Sequence, residues 1–353
     1  MADEQRRRFT LTELFVCIVL FGLIVALLAP NMDGGRERAR LATCYNNLRQ
    51  LAMANIETAT QGSQASFGGY LEPLRVSDDA AFPDEDPSTP EREIMVAWPT
   101  KLLPTIEQVM LHERIFRGDK NFNLNSPPMI EIFYCPSDPP VDPAGGILAY
   151  VANSGMPDLA AASEDQPSDL RANGVFHDQR PGRFGPQVRL GRDLKDGSST
   201  TILLSENIHR DPAGSASQPG NTWLRPAAGA ANLEQWYGMV WVVDPQNPRS
   251  PQASLEDRFN RDTRPESQRD QPYAASGTRF ARPSSEHPDV FNVAFCEGNT
   301  KEISQDIDYA VYQQLMTPDG RKAAPGDAPN QPFEKTLPET QRFMNPPLME
   351  ADY

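Results

Sequence analysis

Residues 9–30, FTLTELFVCIVLFGLIVALLAP, decide how the rest of this 353-residue chain is to be read. They hold an unbroken apolar run at 14–29 and, over all 22 positions, a single charge, Glu13. At about 1.5 Å per helical residue such a stretch is just long enough for a hydrocarbon core of roughly 30 Å, so it predicts a membrane helix over about 9–30. A cleaved secretory signal is one alternative, but Ala29 followed by Pro30 makes a poor cleavage context. A buried core helix is another, opposed by the Arg6-Arg7-Arg8 flank and the lack of polar periodicity. Three arginines precede the run and three follow it (Arg36, Arg38, Arg40), so charge alone sets no orientation. Glu13 needs a reason, because a carboxylate in an apolar helix is costly unless it is paired or close to the interface.

Outward from this run, Leu41, Cys44, Leu48 and Leu51 form one helical stripe, which predicts that the helix continues. Pro30 is expected to kink it and the 31–35 stretch to loosen it before the stripe packs on a head. The runs IEIFYC (130–135), ILAYVAN (147–153), TTILLSEN (200–207), YGMVWVVD (237–244) and VFNVAF (290–295) are short, β-branched or aromatic and bounded by turn residues. They read as strands of an antiparallel sheet laid against the helix, an α+β class. Asp196-Gly197, Glu297-Gly298 and Pro136-Ser137-Asp138-Pro139 read as turns. Residues 77–93 and 245–279 read as exposed loops, and 318–353, rich in proline, as a tail that wanders over the surface or is disordered. The expected organisation is an N-terminal segment and long helix over 1–60, a head over 61–317 and the tail over 318–353.

The net charge of −15 is uneven. Residues 1–40 carry six arginines against five acids, a balance of +1, which leaves −16 for the remainder. That opposes phosphate binding, so no nucleic-acid partner is expected. The four cysteines (17, 44, 135, 296) show no CxxC spacing, and their pairing is left open by spacing alone. The four histidines (112, 177, 209, 287) fall in no HExxH pattern, and GxSxG, P-loop and Rossmann glycine motifs are absent. No metal, cofactor or catalytic residue is therefore assigned, and the pattern does not point to an enzyme. A Cys135–His287 nucleophile pair is a formal option that the strand-end position of Cys135 argues against. Calcium is a minority alternative, with Asp138, Asp196, Glu206 and Glu297 as its carboxylates.

RRRFTLTELFVCIVLFGLIVALLAP (6–30) resembles the start of a type IV pilin or pseudopilin: a basic leader, a cleavage point, Phe-Thr-Leu-x-Glu and an apolar helix. Counted from Phe9, Glu13 is fifth and Pro30 twenty-second, as in that pattern, whereas Arg8 stands where the family has glycine. Cleavage before Phe9 would, by the resemblance, let Glu13 neutralise the Phe9 amine of a neighbouring subunit; without it the protein stays a membrane-bound monomer. ARLATCYNNLRQLAMA (39–54), FYCPSDP (133–139), LKDGSSTTILLSE (194–206) and SSEHPDVFNVAFCEGNTKEISQDID (284–308) resemble segments of the pilin-like planctomycete proteins with a His-x9-Asp-Gly domain of unknown function. Here the signature is His287, nine residues, then Glu297-Gly298.

The resemblance implies a single-pass protein of the inner membrane, with its N-terminus cytoplasmic and its head outside. The bilayer, pilin-like subunits and a secretion machinery are its implied partners. The family's cysteine-bearing motifs imply a Cys44–Cys135 disulfide, worth about 4 kcal/mol for a loop of roughly ninety residues. The leading expectation is a structural or interaction protein of a secretion or surface filament system. The alternative is a tethered binding module for a glycan or solute, using Trp223, Trp236 and Trp241. Within the signature, His287 and Glu297 are expected to stand apart at opposite ends of a strand. His287 would bond in the turn that enters the strand, and Glu297-Gly298 would close a hairpin over 290–304.

Overall fold

The computed structural model describes residues 10–28, 32–62, 64–77, 93–139, 146–208, 222–226, 233–243, 259, 281–337, 348 and 353. Arg8, Phe9 and Pro30 lie outside them, as do most of the two expected loops and most of the tail beyond residue 337. Helix α1 (Leu11–Leu28) is followed by α2 (Met32–Gln61). Gly34 and Gly35 are helical, so the expected loosening over 31–35 does not extend to them. Helix α2 buries Cys44, Leu48, Leu51, Ala52, Asn55 and Ala59, continuing the stripe read from the sequence. No helix among the described residues is long and apolar enough to cross a membrane.

The head is α+β. Its main sheet has five strands in the order β5-β3-β4-β6-β7, with β3 at Tyr150–Gly155, β4 at Ile202–Glu206, β5 at Gly238–Val240, β6 at Val290–Phe295 and β7 at Thr300–Ser304. Every pairing is antiparallel except β3 with the edge strand β5, which run parallel, so the sheet is mixed rather than purely antiparallel. The hairpin of β6 and β7 pairs Val290 with Ser304 through Ala294 with Thr300. A second sheet pairs β1 (Leu71–Arg75) with β2 (Glu93–Ala97). The strand pattern did not show this pair, because Pro73 and the charged residues of LEPLR mask the usual signature.

Both faces of the main sheet are covered, which is why its strands are apolar almost throughout. Alternation along β6 sends Ala294 towards a cluster that contains Leu48, Leu51 and Tyr150, while Phe291, Val293 and Phe295 join Tyr312, Leu315 and Met316 on the other side. Helix α2 lies against β4, β6 and β7. The opposite cluster takes in α5 (Tyr309–Met316) and the segment that follows it.

Several expectations need correction. IEIFYC is not a strand: Glu131–Phe133 is a short 3₁₀ turn whose Phe133 carbonyl accepts from Ala149 N. In YGMVWVVD only Gly238–Val240 is strand, and it is entered from the short helix α4 (Leu233–Tyr237). Within the tail, residues 318–337 are packed rather than wandering: Ala323, Ala324 and Phe333 are buried, and Phe333 meets Trp241 edge-on at 5.9 Å between centroids. In the stretch read as an exposed loop, Phe259 is buried, its ring 4.7 Å from that of Tyr312.

Candidate functional site

Four segments far apart in sequence meet where α2 crosses the end of the sheet. Glu37 and Cys44, seven residues and about two turns apart, share one face of α2. Cys135 and Ser137 come from the turn after the 3₁₀ segment, Glu206 from the end of β4, and His287 from the turn before β6. Cys44 and Cys135 are disulfide-bonded, with Cα atoms 5.2 Å apart. The imidazole of His287 is buried and spans the two carboxylates, Nδ1 lying 2.9 Å from Glu37 Oε1 and Nε2 3.4 Å from Glu206 Oε1. Nε2 also lies 3.5 Å from Cys135 Sγ.

The carboxylates are themselves held. Ser137 Oγ donates to Glu37 Oε1 at 2.8 Å, and Arg40 stands 3.7 Å from Glu37 Oε2. Asn292 donates to Glu206 from its backbone N at 2.9 Å and from Nδ2 at 3.2 Å. Burial works to lower the pKa of His287, but the hydrogen bonds and charges of Glu206 and Glu37 outweigh it and the net shift is upward. For Glu37 burial works upward, and the Ser137 hydroxyl together with His287 and Arg40 brings the net shift down. The arrangement favours an imidazolium clamped between carboxylates, which ties α2, β4 and the β6 turn together.

The sequence placed His287 as a local turn residue, and part of that is present: its backbone N donates to Ser285 Oγ at 3.2 Å. The ring instead reaches 250 residues back to Glu37. Cys135 and His287, set aside as a catalytic pair, do meet, but the sulfur belongs to a disulfide. Glu37 was missed. Its seven-residue spacing from Cys44 was the available signal, and an exposed-looking Glu among RERAR gave no hint of burial partners.

The remaining expected site residues are dispersed. Gly197 (φ +110°) and Gly298 (φ +94°) both adopt backbone angles that other residues rarely reach. Glu297 is exposed at the β6–β7 turn, where its backbone N donates to Ser198 O. Asp196 accepts from Gly320 N at 2.6 Å, which pins residues 318–322 to the turn before β4. Asp138 closes the Cys135 turn, its backbone N donating to Cys135 O at 3.0 Å. Among the four acids weighed for calcium, Glu206 sits with His287 and Asp196 with Gly320, and these are separate neighbourhoods. Glu13 caps α1: Thr10 N and Oγ1 both donate to its Oε2 at 2.8 Å, and Glu13 N donates back to Thr10 Oγ1 at 3.3 Å. This is the reciprocal Thr-x-x-Glu capping box, and TLTE was its signal. Cys17 is exposed and Cys296 buried, both as free thiols.

A second polar cluster has no sequence motif at all. Tyr70 OH donates to Asp158 Oδ2 at 2.5 Å, Arg183 lies 3.4 Å from Asp158 and 3.1 Å from Asp178, and Asp158 N donates to Glu234 Oε1 at 2.8 Å. Burial, followed by the charge of Asp158, lifts the Glu234 pKa to about 7.

Residues 34–310, from the first turns of α2 to the start of α5, match the family model SBP_bac_10, described as a protein of unknown function (DUF1559). The chain belongs to that family. Comparison with curated proteins and with solved structures gives no match. The DUF1559 match takes in every residue of the His287 cluster, whereas α1 precedes it.

Proposed function

We propose that this DUF1559 protein is a membrane-anchored, non-enzymatic structural or interaction protein, pilin-like in build. Its head lies outside the inner membrane and its N-terminus lies in the cytoplasm. The observation that carries the reading is the state of α1. Leu11, Leu14, Phe15, Val16, Ile18, Val19, Leu20, Phe21 and Leu23 are all exposed, around the whole circumference of the helix. Leaving a large apolar side chain in water forgoes about 1.5–3 kcal/mol. Nine such residues forgo an amount comparable with the 5–15 kcal/mol that holds an ordinary domain together, so α1 requires an apolar surrounding. The 18 residues of α1 span about 27 Å, and flanking Thr10 or modest local thinning of the bilayer makes up the difference from roughly 30 Å. Helix α2, fastened by the disulfide and the His287 clamp, would transmit the anchor's position to the head.

The binding-protein-like label of the family favours a second reading, a tethered binding module. A tryptophan stacking surface does not support it: Trp223 and Trp241 are buried and donate from Nε1 to Pro128 O and Asn173 O, each at 2.8 Å, and Trp236 is partly buried against the same core cluster as Trp223. Membrane fractionation tests the anchor: the full chain is expected in the pellet after an alkaline wash and in solution only with detergent. Recovery in the soluble fraction without detergent would refute it. Mass spectrometry of the N-terminal peptide then separates the readings, since a processed Phe9 favours assembly with pilin-like subunits and an intact leader favours a tether.

A further inference from the structure

We propose that the Cys44–Cys135 bridge and a zinc site are alternative states of one cluster: once the disulfide is reduced, Cys44, Cys135, Glu206 and His287 bind a single Zn²⁺. The ligand atoms of these four buried side chains all lie within 4.8 Å of one another. Two thiolates, an imidazole and a carboxylate form a donor set that zinc accepts in tetrahedral geometry.

Two edges of the cluster already have the required dimensions. With Zn–S of about 2.3 Å, Zn–N of about 2.05 Å and Zn–O of about 2.0 Å, a tetrahedron has an N···S edge of about 3.6 Å and an N···O edge of about 3.3 Å. His287 Nε2 lies 3.5 Å from Cys135 Sγ and 3.4 Å from Glu206 Oε1. The sulfurs have to part to about 3.8 Å, the S···S edge of the same tetrahedron, which reduction permits.

The supporting bonds also suit a metal. Glu37 holds Nδ1 of His287 at 2.9 Å, which fixes the ring with Nε2 turned to the cluster, as an outer-shell carboxylate does for a zinc-bound histidine. Asn292 orients Glu206 through two hydrogen bonds. The chemistry balances: a dithiol supplies two electrons and two protons to the bridge and itself closes to a disulfide. Zn²⁺ then displaces the two thiol protons, along with the His287 ring proton where it is present. The bridged form has no thiolate to offer, so the two states exclude each other. This inference stands independently of the membrane anchor.

The test uses the full chain in detergent, either oxidised or reduced with a phosphine, which water carries to its oxide. Alkylation mass must first show two thiols gained on reduction. Equilibrium dialysis with Zn²⁺ is expected to give one ion per reduced chain and none per oxidised chain. Co²⁺ in place of zinc should give the reduced chain tetrahedral absorption with thiolate charge transfer. Since loss of an outer-shell partner costs about 10–100-fold in affinity, Glu37→Gln should weaken zinc within that range and His287→Ala by more. Equal binding by oxidised and reduced chains, no binding by a chain shown to be reduced, or unchanged affinity in His287→Ala would each overturn the proposal. Should His287→Ala fail to fold, Glu37→Gln and the oxidised–reduced comparison still decide it.

Discussion

His287 shows how one side chain can serve a local turn and a long-range clamp together. Its replacement by alanine removes hydrogen bonds to two charged groups and leaves the buried Glu206 without its imidazole, which should cost about 3 kcal/mol. The pH dependence has a definite sign. The folded pKa of His287 is raised above 6.5, so its contribution is whole below that pH and fades as pH climbs through the raised value. The folded pKa of Glu37 is lowered from 4.5, so its contribution is present above that pH and is lost as pH falls through the lowered value. The stability gap between wild type and His287→Ala in urea unfolding should therefore be largest at about pH 4.5–6.5 and narrow towards pH 9. A gap that stayed level or widened at alkaline pH would contradict the clamp.

Glu234 gives the opposite test among acids, because its raised pKa means that the folded state prefers it protonated. Its contribution is present below pH 4.5 and is lost as pH rises through about 7, a swing on the order of 3 kcal/mol. Glu234→Gln keeps the Oε1 that accepts from Asp158 N, and should make the protein more stable than wild type at pH 8 but not at pH 4. No advantage at pH 8 in thermal unfolding would remove that account.

Among the elements, the joint between α2 and the head depends on two fastenings. The disulfide closes a loop of 91 residues, and Cys135→Ser should destabilise the head by about 4–5 kcal/mol in the chain-entropy model, checked by unfolding with and without reductant. The β6–β7 hairpin meets α2 at its turn, where a Cβ on Gly298 would lie 2.5 Å from Met53 Sδ. Met53 is half exposed and flexible enough to move, so the φ of +94° sets the cost of Gly298→Ala at about 1–2 kcal/mol. Adding Met53→Ala should not rescue it; full rescue would show that contact, not backbone, was limiting.

For the whole molecule, the C-terminal segment closes the far face of the sheet. Asn173 Nδ2 donates to Ala324 O at 3.0 Å, Ala324 N donates back to Asn173 Oδ1 at 3.2 Å, and Phe333 covers Trp241. Phe333→Ala should cost about 3 kcal/mol or more in thermal unfolding, whereas a surface tail would lose nothing. The amino-acid sequence alone encodes what local periodicity and turn chemistry can carry: the apolar first helix, the buried stripe of α2, the approximate positions of all five main-sheet strands, including the hairpin over 290–304, and the glycine turns at 197 and 298. It could not determine contacts whose members share no period. Glu37 meeting His287, Asp196 holding Gly320, and Tyr70, Asp158 and Glu234 meeting in one buried cluster depend on which segments the sheet order brings together. The tail was misread for the same reason. Its prolines report that it is not regular, but only the uncovered apolar face of β6 decides that an irregular segment is buried.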